Sequence, residues 1–194
     1  MADFQDLIRS CNGLISQIKV KHSPRNATAV ALMDLCYEHS ASIDILCQQK
    51  RYGAAAALFR PCVEAYIRGA WVLYCATDSQ VDETINGTKK GKPLSSLVAE
   101  LSQYEATYEF LNQYAKTRLK NTLDSLSHGT SVQILNRFDG KSVRFIADDD
   151  VVRTLLREAC FFALLSHSAI AEIAQDQSLE AKVLCLFDDM MKCV

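Results

Sequence analysis

Between Ala54 and Cys75 the chain reads AAAALFRPCVEAYIRGAWVLYC, an apolar helical run whose only charges, Arg60, Glu64 and Arg68, fall four residues apart. Side chains at that spacing share one face, so Glu64 is expected to reach Arg60 one turn back and Arg68 one turn on. An ion buried without a partner costs several kcal/mol, so a charged line in so apolar a segment has to be paired or used. Beside it run Ala57, Pro61, Ala65 and Gly69, small residues that are expected to let a second helix approach closely and cover the charges. Pro61 lacks the N–H that would bond to Ala57, and its ring crowds that carbonyl. The helix is therefore expected to kink or begin afresh there, re-aiming Arg60.

Helical spacing recurs along the rest of the chain. Phe4, Leu7, Ile8, Leu14, Ile15 and Ile18 mark an amphipathic helix over 3–20, bent at Gly13. Ser23 and Pro24 suit the N-cap and first position of a second helix, which runs to about Lys50 with Leu32, Leu35, Cys36, Ile43, Leu46 and Cys47 inward. After the charged helix, Thr77 to Lys92 is polar, carries Asn86-Gly87 and Lys89-Lys90-Gly91-Lys92, and reads as a flexible loop. Further helices are expected over 94–104, 108–126 and 148–175, and a last one buries Leu179, Val183, Leu186, Phe187, Met190 and Val194. The 148–175 helix is apolar almost all round between Ala159 and Ala171, which places it centrally or in a subunit interface. Val132 to Ile146 is ambiguous. Asp139-Gly140 there resembles a tight hairpin turn, with a short helix and an extended connection as the alternative. The fold expected is all-α: an antiparallel, largely up-and-down helical bundle of six or seven helices. At most one small β-hairpin lies near 132–146, and one domain spans 1–194.

A net charge of −2 gives no general attraction to nucleic acid or to anionic membranes, so any phosphate-binding surface has to be local. No two of the eight cysteines have the separation of a zinc knuckle, and they read as reduced, small hydrophobes in a cytosolic protein. The apolar run from Ala159 to Ala171 is broken by Ser166, His167 and Ser168 and is shorter than the roughly 18 residues a bilayer requires. No basic start with an apolar stretch and a cleavage site opens the chain. A cytoplasmic location without membrane association is the expectation. No H-x-x-x-H or E-x-x-H spacing supports a metal site, and no glycine-rich phosphate loop or nucleophile elbow occurs, so no metal and no cofactor is expected.

A second polar line, Arg118, Asn121, Ser125 and His128, recurs at spacings of three and four opposite the leucines of the 108–126 helix. His128 sits in Leu126-Ser127-His128-Gly129-Thr130. Gly129 there is a natural helix end, and the negative pole of the helix favours a protonated ring. If this helix packs on the charged one, Arg60, Glu64, Asn121 and His128 converge. Such a group suits a phosphodiester: His128 as general acid or base, an arginine neutralising charge on phosphate oxygens, Glu64 orienting. The competing reading is a structural ion pair that fixes helix register, with Ser-His-Gly a cap alone. Of the other histidines, His39 reads as a half-buried helix residue, His22 as a loop residue, and His167 as hydrogen-bonded within the bundle or across a dimer. Lys89, Lys90 and Lys92 either touch phosphate or are solvated.

Taken together, F-R-P-C-V-E-A-Y-I-R-G at 59–69 and L-S-H-G at 126–129 resemble an uncharacterised group of bacterial helical proteins related to the HEPN superfamily. That group pairs an R-P-x-x-E helix with an S/T-H-G segment and a hydrophobic terminal helix, and the similarity spans roughly Arg51 to Asp176. The resemblance implies an antiparallel bundle that commonly dimerises, in toxin–antitoxin or phage-defence systems where many members cut RNA without metal. The superfamily's catalytic arginine precedes its histidine by four to six residues. Here Arg118 precedes His128 by ten positions, as Arg157 does His167. On the family pattern the catalytic positions are Arg60, Glu64 and His128; Arg68, Arg118, Asn121 and Arg137 are read beside them as substrate-binding neighbours from the residues themselves, not from the family. The expected partners are a second copy of the chain and RNA. A non-catalytic interaction or regulatory subunit with a protein partner is the alternative.

Overall fold

The computed structural model describes residues 3–16, 18–88, 91–114, 137 and 147–193. Among these residues the chain is helical and contains no strand. The elements are α1 (Phe4–Ser10), α2 (Pro24–Gln48), α3 (Tyr52–Tyr74), α4 (Asp78–Asn86) and α5 (Leu94–Tyr104). A 3-10 turn at Ala106–Tyr108 then leads into α6 (Glu109–Tyr114), followed by α7 (Asp149–Ala174) and α8 (Gln177–Lys192). The described residues form eight α-helices against the six or seven expected, and the one not foreseen is α4, which lies inside the 77–92 stretch read as a loop. Its start is a capping box: the Thr77 hydroxyl accepts from the Gln80 N–H, and the Gln80 side chain accepts from the Thr77 N–H. The hairpin expected near 132–146 lies outside the described residues, apart from Arg137, an exposed turn residue.

Ser23 caps α2 through a hydrogen bond from the Asn26 N–H, with Pro24 in the first turn. The three-residue link Gln49–Arg51 turns the chain back, with Lys50 in the left-handed region at φ 56°, so that α2 and α3 pack against each other as an antiparallel pair. A Cβ on Gly69 would stand 3.2 Å from Leu32 Cβ and 3.0 Å from Met33 Cε, so α2 packs closely at the Gly69 end of the small-residue row, while Ala57 and Pro61 of that row stay half-exposed. Helix α3 runs through Pro61 as one element, so of the kink or fresh start expected there the fresh start does not occur. The flanking Phe59, Cys62 and Val63 are buried, and that burial holds the helix together across the missing hydrogen bond.

The first helix is much shorter than the expected 3–20. It ends at Ser10 and continues as turns, with Gly13 in the left-handed region at φ 80°, a conformation open to glycine at no steric cost. The face that α2 buries matches the expectation at Cys36, Ile43 and Cys47 and differs from it elsewhere. Ala29, Met33, Cys36, Ser40, Ile43, Asp44 and Cys47 turn inward, whereas Leu32 and Leu46 are half-buried and Leu35 is exposed. Asp44 is sealed against the base of α1, where its carboxylate accepts hydrogen bonds from Gln5, from Arg9 Nε at 3.2 Å and from Gln48 Nε2 at 2.8 Å.

Helix α7 is the central element. It packs against α1, α2, α3 and α8, and its Ala159, Cys160, Phe162, Ala163, Leu164, Ser166, His167 and Ile170 are buried. The apolarity of 159–171 is thus satisfied within one chain. Phe162 lies at an aromatic junction, edge-on to Phe59, Tyr66, Tyr114 and Phe161 with ring centroids 5.5–6.1 Å away. Next to it the thiols of Cys36 and Cys62 stand 3.6 Å apart, and burial pushes the Cys36 thiol well above its ordinary range. All eight cysteines are free.

His167 is fully buried, with Nδ1 2.9 Å from the Ala163 carbonyl, Nε2 3.2 Å from the Cys11 carbonyl and Tyr37 edge-on to the ring. Burial lowers its pKa, ahead of the two carbonyls that pull it upward. The neutral ring has one N–H and donates to one of them. The unfolded chain binds this proton at about pH 6.5, whereas the folded chain binds it at lower pH. The ring's contribution to stability is therefore complete above that value and is lost as acid is added. Urea midpoints measured from neutral pH down to mildly acidic pH are expected to fall, and to fall less steeply in His167→Gln. An equally steep profile in the variant would overturn this assignment.

Candidate functional site

The partly exposed edge of α3 carries Ala57, Arg60, Pro61, Glu64 and Arg68, while Phe59, Cys62, Val63, Tyr66, Ile67 and Ala70 face the core. Arg60 Nε donates to Glu64 Oε1 at 2.9 Å, with the two side chains 28% and 27% exposed. A pair one turn apart and this solvated adds modestly to stability, so its main effect is to hold the Arg60 guanidinium in one orientation.

Glu64 does not bridge Arg68, so the expected carboxylate between two guanidinium groups is reduced to a single pair. Arg68 reaches instead toward the segment that enters α5. A Cβ at Gly91 would lie 3.2 Å from Arg68 Nη1, so the absent side chain is what leaves room for the guanidinium. There it lines a pocket of about 370 Å³ between α3, α4 and α5, together with Trp71, Val72, Gln80, Lys92 and Leu97. Lys92 closes one side. Its Nζ donates to both oxygens of Glu100 at 2.7 and 3.0 Å and lies 4.9 Å from the centre of the Trp71 ring. Trp71 Nε1 donates to the same carboxylate at 2.7 Å, and the Lys92 and Trp71 hydrogen bonds hold the Glu100 carboxyl below its usual range. Of the three lysines read as phosphate contacts or solvated, Lys92 is thus a structural tie between α5 and α3, and Lys89 and Lys90 lie outside the described residues.

His128, Arg118 and Asn121 also lie outside the described residues. Among the described histidines, His22 is exposed, His39 is half-buried on α2 with its pKa lowered by burial, and His167 faces two backbone carbonyls in the core. Among the described residues no three His, Cys, Asp or Glu side chains are grouped so as to hold a metal ion, and no helix is long and apolar enough to cross a membrane. Sequence reasoning missed the pocket because it missed α4. The Thr77-x-x-Gln80 spacing was the available signal.

The sequence model of a family of unknown function, DUF6988, matches residues 33–194, a span that contains the α3 edge, the pocket and every candidate position named above. No curated protein and no solved structure matches the chain.

Proposed function

We propose that this chain, which belongs to the DUF6988 family, acts on RNA as a HEPN-like, metal-independent ribonuclease of a cytoplasmic toxin–antitoxin or phage-defence system. The observation that carries this reading is the Arg60–Glu64 pair. A guanidinium held by a carboxylate at 2.9 Å on a half-exposed helix edge is preorganised to meet charge developing on phosphate oxygens. In this reading His128 supplies the general acid or base, Glu64 positions Arg60, and Arg118, Asn121 and Arg137 contact the substrate. Arg68 is set apart from them, because its guanidinium lies in the pocket of α3, α4 and α5. A homodimer is part of the proposal through the HEPN resemblance alone, since the burial of 159–171 within one chain removes the other argument for it.

Purified protein incubated with total RNA in the presence of EDTA is expected to cleave it, and His128→Ala to lose that activity by at least a hundredfold, roughly the lower bound of general acid–base contributions. Equal cleavage in both samples, or none in either, would remove the reading. The second reading is a non-catalytic subunit that binds a protein partner. What favours it is that no arginine stands four to six residues before a histidine. Turnover by the isolated chain, with no partner recovered in a pull-down, would count against it.

A further inference from the structure

We propose that the pocket between α3, α4 and α5 binds a small organic oxyanion, a carboxylate or a phosphate monoester, with Arg68 as the anion-binding group. Four half-buried arginines occur among the described residues: Arg25, Arg60, Arg68 and Arg157. Arg25, Arg60 and Arg157 each hold a carboxylate at 2.8–2.9 Å. Arg68 alone has no carboxylate or other acceptor among the described residues. A guanidinium partly withdrawn from water and left without an acceptor is unfavourable unless something from solution supplies one.

Glu83 also lines the pocket and is, among the described residues, the one acidic group on it outside the Lys92–Glu100 pair, whereas the other polar groups favour an anion. Lys92 is neutralised by Glu100, so it offers no competing charge to a ligand and fixes the wall beside Trp71. Gln80 gives its side-chain oxygen to the Thr77 N–H, which fixes the amide and leaves its nitrogen with no acceptor among the described residues, on the same pocket lining as Arg68. Two sets of donors thus face one space: a fork suited to the paired oxygens of a carboxylate or phosphate, and a single amide. Val72 and Leu97 provide the apolar part of the lining, which suits an organic body behind the anionic head. About 370 Å³ is at the small end of ligand sites and too small for a nucleic-acid helix, so this is a site for a small molecule and separate from the RNA edge at Arg60.

The test uses thermal unfolding of the full chain titrated with benzoate, phenyl phosphate and inorganic phosphate. Saturable stabilisation by benzoate or phenyl phosphate is expected in the millimolar range or below, the stronger of the two identifying the head group and inorganic phosphate showing what the organic body adds. Arg68→Ala is expected to weaken binding at least tenfold. Arg68→Lys, which keeps the charge and loses the fork, is expected to weaken it less and serves if the alanine variant fails to fold. Gly91→Val crowds the guanidinium and is expected to weaken binding without removing any charge. No stabilisation by either organic anion, or equal stabilisation of wild type and the Arg68 variants, would overturn the proposal. RNA cleavage by wild type and His128→Ala is read separately, so the two proposals stand or fall independently.

Discussion

Phe162→Ala is expected to lower the unfolding free energy by about 3–5 kcal/mol, the range seen when a large core aromatic is truncated. The residue has no exposed surface, and four aromatic rings from α3, α6 and α7 stand edge-on to it, each contact adding to the area it buries. Its position in the middle of α7, against α2 and α3, leaves little scope for collapse around the void. Domains of this size are commonly stable by about 5–15 kcal/mol, so the variant should lie close to the folding threshold. Urea denaturation followed by circular dichroism measures this, with Phe162→Leu as the control at roughly 1.5 kcal/mol or less. A loss below about 1 kcal/mol for alanine would mean that the junction is not the centre of the core.

Asp44→Ala is expected to cost about 3 kcal/mol, as does breaking other buried charged networks. Its side chain is 3% exposed, and donors from Gln5, Arg9 and Gln48 converge on it. Arg9, 54% exposed, can return to water, while the two amides lose their acceptor in a partly buried place. Asp44→Asn should also be damaging, because it aims an amide N–H₂ at groups that are themselves donors. The loss should be concentrated at α1. Hydrogen exchange is expected to show the amides of Leu7 and Ile8 exposed at much lower denaturant than those of α3. Equal protection of α1 in variant and wild type would show that the carboxylate does not hold that helix.

How legible these features were in the sequence depended on how local their causes are. Ser23 and Pro24 start α2 as expected, and the 94–104 helix has the predicted bounds, because a cap and a proline act within one turn. The inward face of α2 was misread for a physical reason. Its positions 29, 33, 36, 40, 43 and 47 alternate by four and three, the seam of a closely packed helix pair, and four of them are Ala, Cys or Ser while Leu32, Leu35 and Leu46 flank the seam. Reading by hydrophobicity chose the leucines. Close contact with α3 also depends on small residues of the partner, as Gly69 beneath Leu32 and Met33 illustrates. The Arg60–Glu64 pair was readable because it spans one turn. The fate of Arg68 was not, since it depends on Gly91 and on α4, some twenty residues away in the chain.

The contact between His167 and the Cys11 carbonyl joins residues 156 positions apart. As the polypeptide leaves the ribosome, α1 emerges well before the α7 surface on which it docks. At synthesis rates of about 5–20 residues per second, the interval is roughly 8–31 s. During that time Phe4, Leu7 and Ile8, all sealed in the finished protein, have no α7 to cover them. The nascent chain therefore presents an uncovered sticky segment to whatever waits at the exit tunnel.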